Sequence, residues 1–532
     1  GLKNRIACGP AIWPRRSVTG SWLKRTPVGL FSGGRVPRNG RNGRLLAGGF
    51  LDRTGGWCTV EFSRTGIRAL GSCPHRKMNR MSTTPNIVLI TWHDAGRWFG
   101  CYGNETVWTP NVDGLAAEGC RFENMFSACA ICSPSRAAIV TGRYCQDNGV
   151  MYLTNTVNNN RFHRGERHIA KILKEDHGYR TALFGVQHEC AHEHVTEIMA
   201  VDERFDTDPW PQAPVSATNF ERWMDELDPG KGPFYAQVGF LECHLNAFYF
   251  GTHNETYPHA SDAEGGITIP AYLDDTEESR ETVATLQGLV RRGDEAVGRI
   301  LAAIERKGMA DNTLIIMCVD HGVGLPRAKT TCYDPGLAVS WIMRYPGVVP
   351  AGGTVSALAT QIDVLPTAFR LAGLPVPETV QGQDFSQHVL GNADGELNEA
   401  VFSHMVENTR SIRTTDFKFI RNFRAPKPGT NRKSIRLAPQ ISLYEENPPP
   451  HTELYDLRID PNEYNNVVDR EEYDEVAEEL DGLLWTFLLD HDDFVVSEPV
   501  GSEWQRATRQ ALETFCYRSG REAPVIDGRG RR

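Results

Sequence analysis

Cys132-Ser-Pro-Ser-Arg136 brings a thiol, two hydroxyls and a guanidinium together within five residues, and the stretch runs on through Ala137, Ile139 and Val140 to Thr141-Gly142-Arg143. Ser133 suits an N-cap, Pro134 the first helical position and Gly142 a stop, so the pattern predicts a helix with Cys132 just ahead of its N-terminus. Unpaired N–H groups and the positive end of the helix dipole favour an anion there, and Arg136, one turn on, adds a fixed charge. The chemistry on offer is a reactive side chain where an anionic substrate would dock. Two plainer readings compete: a capped core helix that starts with a buried Cys, and a redox pair, since Cys129 and Cys132 have C-x-x-C spacing.

Four more chemical groups follow short apolar runs. Ile87-Val-Leu-Ile90 leads to His93-Asp94, Thr181-Ala-Leu-Phe184 to His188-Glu189, Phe234 to Leu241 to Glu242-Cys243-His244, and Leu314 to Val319 to Asp320-His321-Gly322. Runs of this kind read as strands buried on both faces of a parallel sheet. Functional groups in open α/β sheets collect beyond the carboxyl ends of the strands, so four endings far apart in sequence are expected to meet in one site.

The elements that must hold these groups are also legible. Val283, Leu286, Val290, Val297, Ile300, Leu301 and Ile304 form one apolar helical face that suits packing on the sheet. Gly251 to Thr268 is polar and reads as a long loop, either a lid or a surface excursion. From about Ala400 the pattern shifts to short strands, 411–420 and 453–457, followed by an amphipathic helix through Tyr473, Val476, Ala477, Leu480, Leu483, Leu484, Phe487 and Leu488. The expected organisation is a leader over 1–80, a catalytic domain over 81–398, a C-terminal subdomain over 399–500 and an unassigned tail over 501–532. The fold class is α/β with a mostly parallel central sheet, plus a smaller α+β subdomain with antiparallel strands.

Charge divides the chain unevenly. Residues 1–80 hold 13 Arg and 3 Lys against Asp52 and Glu61, whereas the remaining 452 residues carry 41 basic and 65 acidic groups. The leader is Arg- and Gly-rich without a sustained pattern, and Met81 precedes the first buried run, so the leader is expected to lie outside the fold. It could be upstream translated sequence, a targeting segment or a basic arm. No apolar run approaches the length of a membrane span. No compact apolar signal segment is seen, and the 13 cysteines are odd in number, which fits reduced thiols and a cytoplasmic enzyme. The acidic body calls for neither a nucleic-acid nor a membrane partner.

The block Cys132-Ser-Pro-Ser-Arg136 with Thr141-Gly-Arg143 resembles the signature of the type I sulfatases of the alkaline phosphatase superfamily. Cys101-Tyr-Gly103, Thr109-Pro-Asn111, Gly178-Tyr-Arg180 and Leu454-Tyr-Asp456 extend the resemblance from Pro85 to about Asp490. It implies an alkaline-phosphatase-like layered fold and sulfuric ester hydrolysis. It also implies that a formylglycine-generating enzyme oxidises Cys132 to formylglycine, an aldehyde. The hydrated aldehyde attacks sulfur and expels the alcohol; its second oxygen then helps release sulfate and restores the aldehyde. The implied metal ligands are Asp94 and Asp320, with His321 after the second Asp and His93 where many members have another Asp. Ca²⁺ ranks first, with Mg²⁺, Mn²⁺ or Zn²⁺ as other candidates because imidazole shifts the preference. Arg136 would stabilise the hydrate and anion, Lys329 would hold a sulfate oxygen, His244 would bind sulfate or protonate the leaving oxygen, and His188 matches the family's Gly-Lys-x-His histidine.

That last stretch departs from the family, because Gly185-Val186-Gln187-His188 lacks the lysine. With one fixed cation fewer, a monoanionic substrate is expected: a small sulfated carbohydrate, as an O-sulfate or, on resemblance to N-sulfoglucosamine sulfohydrolase-like members, a sulfamate. A phosphodiester or phosphonate monoester hydrolase on the same scaffold, and a non-catalytic binding relative with unmodified Cys132, are the alternatives.

Overall fold

The computed structural model describes residues 84–154, 160–206, 211–245, 261–406, 409–424, 435–439, 450–496 and 502–524, and the backbone of four strands nearer the N-terminus. The chain forms two compact units, Gly1–Met81 and Ser82–Arg532. In the first, Leu45–Leu46, Phe50–Leu51, Trp57–Ser63 and Gly66–Ser72 make an antiparallel sheet around Trp57–Ser63. No element was expected there. The aromatic and β-branched residues of Trp57-Cys-Thr-Val-Glu-Phe62 are diluted in composition by the Arg and Gly around them.

The second unit is built on an eight-stranded sheet. Its strands are β1 (Asn86–Trp92), β2 (Cys120–Phe122), β3 (Arg180–Gly185), β4 (Glu203–Phe205), β5 (Phe234–Gly239), β6 (Thr313–Val319), β7 (Trp341–Arg344) and β8 (Gly353–Val355), in the order β8-β2-β7-β6-β1-β5-β3-β4. The run β6-β1-β5-β3-β4 is parallel throughout, and β7 is antiparallel to both neighbours. Every residue of β1, β5 and β6 is buried, as expected of strands covered on both faces. Parallel pairing brings the carboxyl ends of β1, β3, β5 and β6 to one edge of the sheet, and each of these ends carries one of the histidines.

Helices cover the faces. Glu277–Arg306 starts on a Thr276 cap that accepts from Ser279 N–H, and it buries Val283, Leu286, Val290, Val297, Ile300 and Ile304. Its Gly293 sits against the Trp92 indole, where a Cβ would come within 2.4 Å of the ring, so the helix approaches the end of β1 closely. Ala213–Glu226 packs beside it.

The C-terminal sheet is antiparallel in the order β9 (Val401–Met405), β10 (Thr409–Arg413), β11 (Phe417–Asn422) and β12 (Thr452–Asp456). The run expected as one strand over 411–420 is thus two strands, because Thr414 Oγ1 accepts from Phe417 N–H and closes a turn between them. Asp474–Asp490 packs on this sheet through Leu480, Leu484, Trp485 and Leu488. The unassigned tail forms a helix, Glu503–Ser519, opened by a Ser502/Gln505 capping box and buried through Leu512 and Cys516. Residues 261–268 of the expected long loop lie outside helix and strand, with Asp262 buried, whereas 251–260 lie outside the described residues.

Candidate active site

The helix Cys132–Thr141 follows Ile131 as N-cap and ends at Gly142 with φ 65°. Cys132 therefore occupies the first turn, and Ser133 is not the cap. The Ser133 hydroxyl instead accepts from Thr154 N–H at 3.1 Å, a partner 21 residues away, and so joins the following loop to the helix start. The rest of the block ties the helix to the end of β6. Ser135 Oγ donates to the Asp320 carbonyl at 2.5 Å, and Arg136 Nε to Asp320 Oδ2 at 3.1 Å. Gln361 Nε2 reaches the same carbonyl at 2.6 Å. Arg136 is fully buried, and its Nη1 donates to Thr91 Oγ1 at 3.0 Å. The structure therefore places Arg136 behind Asp320, fixing a carboxylate relative to position 132.

Around Cys132, which is only 2 % exposed, the strand endings converge as expected. His321 Nε2 lies 3.3 Å and Lys329 Nζ 3.6 Å from Sγ. Lys329 Nζ also donates to both oxygens of Asp94, at 2.9 and 2.7 Å, and lies 3.2 Å from His244 Nε2. The His93 ring stands 5.8 Å from the rings of both His188 and His244, centroid to centroid. All nine residues anticipated from the sequence thus come together, seven of them around Cys132, with Arg136 held behind Asp320.

Charge compensation governs ionisation here. Burial opposes the charged form of Asp94, yet Lys329, His244 and His321 hold its carboxyl below the usual range. Asp320 is likewise held low, against its burial, by His321, His93 and Arg136. Burial and the Arg136 charge press His93 down, but Asp320 and Cys132 outweigh them and raise it to about 10. The Cys132 thiol, despite burial, is held well below its ordinary value by Lys329, His321 and His93. Burial lowers His188, which favours its neutral form.

Backbone strain clusters at the same place. Asp94 and His188 have φ 49° and 57°, and Arg327 and Thr330, on either side of Lys329, have φ 60° and 72°. Left-handed backbone at residues other than Gly persists only where the surroundings over-determine it.

Ligand atoms of His93, Asp94, Cys132 and Asp320 all lie within 4.8 Å of one another. Both carboxylates are held ionised, and both His93 ring nitrogens are buried without a hydrogen bond among the described residues, although Nδ1 lies 3.0 Å from Asp320 Oδ2. His321 Nδ1 is 2.9 Å from the Gly322 carbonyl, so it carries the proton and leaves Nε2 facing the cluster. These residues fit a divalent cation: two oxygen-bearing anions, an imidazole that a cation would relieve of its proton and its pairing with Asp320, and an oriented second one.

Sequence reasoning missed the residues that position these groups. Thr91, Thr154, Ser127 and Gln361 act through hydrogen bonds to partners distant in sequence, and their types are too common to stand out. Val186 is buried, and its backbone N–H donates to Gly239 O at 3.1 Å, so it brings no charge to the site.

The model of the family described as Sulfatase matches residues 85–374, and that described as N-sulphoglucosamine sulphohydrolase, C-terminal, matches 327–429. An ulvan-active sulfatase of Formosa agariphila is 28% identical over 444 residues, covering 80% of this chain and 84% of that protein. Human N-sulphoglucosamine sulphohydrolase is 25% identical over 347 residues, covering 60% of this chain and 66% of that protein. The structure of BT4656 in complex with its substrate D-glucosamine-2-N,6-O-disulfate superposes with a TM-score of 0.58 at 22% identity, covering 77% of this chain and 99% of that one. With the family model spanning more than half its length and the Cys132 block at the centre of the site, the chain belongs to the sulfatase family, enzymes that hydrolyse sulfuric esters.

Proposed function

We propose that the chain hydrolyses sulfate esters or sulfamates of small sulfated carbohydrates, using formylglycine made from Cys132 by a formylglycine-generating enzyme. The observation that carries this reading is the placement of Cys132 Sγ, 3.6 Å from Lys329 Nζ and 3.3 Å from His321 Nε2, in the first turn of a helix. In the matured enzyme Sγ marks the place of the oxygen derived from the aldehyde.

His93, Asp94 and Asp320, with His321 beside them, would hold the divalent cation, which supplies positive charge and Lewis acidity when bound. Calcium is the ion proposed, on the strength of the two carboxylates. Lys329 binds a sulfate oxygen, as a fixed cation 3.6 Å from Sγ at position 132. With its Nδ1–H committed to the Gly322 carbonyl, His321 presents the Nε2 lone pair to the cation site. His244, within 3.2 Å of Lys329, is placed to protonate the departing oxygen as the bond to sulfur breaks. Arg136 keeps Asp320 in register and ionised.

Val186 supports a monoanionic substrate, because a site with fewer cations neutralises one negative charge better than two. The small carbohydrate is supported by the related protein solved with a glucosamine disulfate as its substrate. Substrate profiling of the matured enzyme tests the reading. A sulfated monosaccharide or aryl sulfate should show the highest kcat/KM; a clear preference for a phosphodiester or phosphonate would assign the site to that chemistry instead.

A further inference from the structure

Lys329 lies on a loop between β6 and the short helix Asp334–Leu337, and the loop closes turns of its own, with Leu325 N–H donating to Val323 O at 2.8 Å and Ala328 N–H to Leu325 O at 3.2 Å. Its own backbone N–H donates to Val323 O at 2.9 Å, and Thr330 N–H donates to Ala130 O at 3.0 Å, just before the Cys132 helix. Arg327 and Thr330, flanking the lysine, are both left-handed. Left-handed backbone on both sides of the lysine persists only where the surroundings add to the loop's own bonds.

The C-terminal subdomain provides the grip. The Lys418 ammonium, on β11 and 0 % exposed, donates to Cys332 O at 3.0 Å and pairs with the carboxylates of Asp334, 2.6 Å to Oδ1, and Glu463, 3.2 Å to Oε1. Glu463 Oε2 accepts from Asp334 N–H at 2.7 Å, and its backbone carbonyl accepts from the Arg327 guanidinium. That guanidinium lies 3.7 Å over the Tyr333 ring, whose hydroxyl donates to Glu453 Oε2 at 2.8 Å. Glu463 is itself left-handed, with φ 57°, so both sides of the contact are conformationally restricted. The same subdomain reaches the segment leading to Cys132: Ser403 Oγ donates to Ser127 O at 2.6 Å, and His404 N–H to Ala128 O at 3.1 Å. Buried ion networks are weak sources of stability, and their best use is to specify one arrangement.

We infer that Lys418 and Glu463 are positioning residues for Lys329: the C-terminal sheet holds the loop that delivers the cation to position 132. This rests on the reading that Lys329 binds sulfate. The test is a double-mutant cycle on the matured enzyme with an aryl sulfate, combined with hydrogen exchange of 325–334. Lys418→Met should lower kcat/KM about 10- to 100-fold, as misplacement of a binding group does. In a Lys329→Ala background the same change should cost less than about 3-fold, because Lys418 acts through Lys329. Amides of 325–334 should exchange faster in Lys418→Met while those of β1 keep their protection. Equal losses in both backgrounds, or unchanged exchange in the loop, would overturn the inference. Should Lys418→Met fail to fold, Tyr333→Phe removes only the hydroxyl contact with Glu453 and enters the same cycle, with a loss of about 3- to 10-fold expected. A wild-type enzyme that leaves aryl sulfates, sulfated monosaccharides and sulfamates all intact would sink the sulfate reading, and the exchange comparison would still decide whether the subdomain holds the loop.

Discussion

Lys329 Nζ lies 3.6 Å from Cys132 Sγ while donating to both carboxylate oxygens of Asp94, so one side chain spans the reacting position and the anionic cluster. Its charge is fixed, because Asp94 and Cys132 raise its pKa against the burial that would lower it. Lys329→Ala should therefore reduce kcat/KM on a sulfate monoester by about 10²- to 10³-fold, the usual loss of a preorganised charge at a developing anion. Steady-state kinetics on the matured variant check this, and a loss under 3-fold would remove Lys329 from the site's machinery.

Metal retention should depend on the carboxylates more than on the imidazole. Asp94→Ala or Asp320→Ala deletes a charged oxygen donor, whereas His93→Ala leaves both in place. Elemental analysis of purified protein should find the two Asp variants depleted and the His93 variant partly loaded. Full metal content in Asp320→Ala would show that the cation is held elsewhere.

Acid sensitivity should trace in part to His168, which is not among the site's residues. His168 caps the helix Ile169–His177, its Nδ1 accepting from Ala170 N–H at 3.0 Å, and burial lowers its pKa from 6.5 to about 3. For a base whose folded value is depressed, the unfolded chain takes up the proton first. The neutral form's contribution is complete above about pH 6.5 and is lost progressively as pH falls towards 3. His168→Asn keeps a capping acceptor and removes the titration. Denaturant unfolding at pH 7 and pH 4.5 should show the variant losing about 2 kcal/mol less than wild type over that interval. Identical losses would mean that His168 does not titrate on unfolding.

The helix Glu503–Ser519 should stabilise the C-terminal subdomain without touching catalysis. Leu512 is buried in the cluster that contains Leu480, Leu484, Trp485 and Leu488. Leu512→Ala should cost roughly 2–4 kcal/mol through lost burial and a residual cavity. Chemical denaturation measures the loss, and kcat of the folded variant should match wild type.

What the sequence disclosed follows from how each feature is encoded. β1 and β6 are legible because burial on both faces demands unbroken apolar runs, and the residues just after such runs, His93-Asp94 and Asp320-His321, fall at the functional edge of a parallel sheet. The cap was misassigned because Ser133 has the right type, whereas its partner, Thr154, is known only from the fold. Helix 503–519 escaped notice because its buried row is Thr508, Leu512 and Cys516, with a single strongly apolar member. Lys418, Glu463 and Asp334 look like ordinary surface charges in a linear reading, and only the docking of β11 and the segment after β12 on the Lys329 loop makes them a buried network.

The central claim is that the reacting group is an aldehyde at position 132, and mass spectrometry of the peptide containing Cys132 tests it most directly. Protein produced together with a formylglycine-generating enzyme and active on a sulfate ester should carry the aldehyde in place of the thiol, and Cys132→Ala should be folded and inactive. A fully active preparation in which position 132 remains an intact cysteine thiol would contradict the claim.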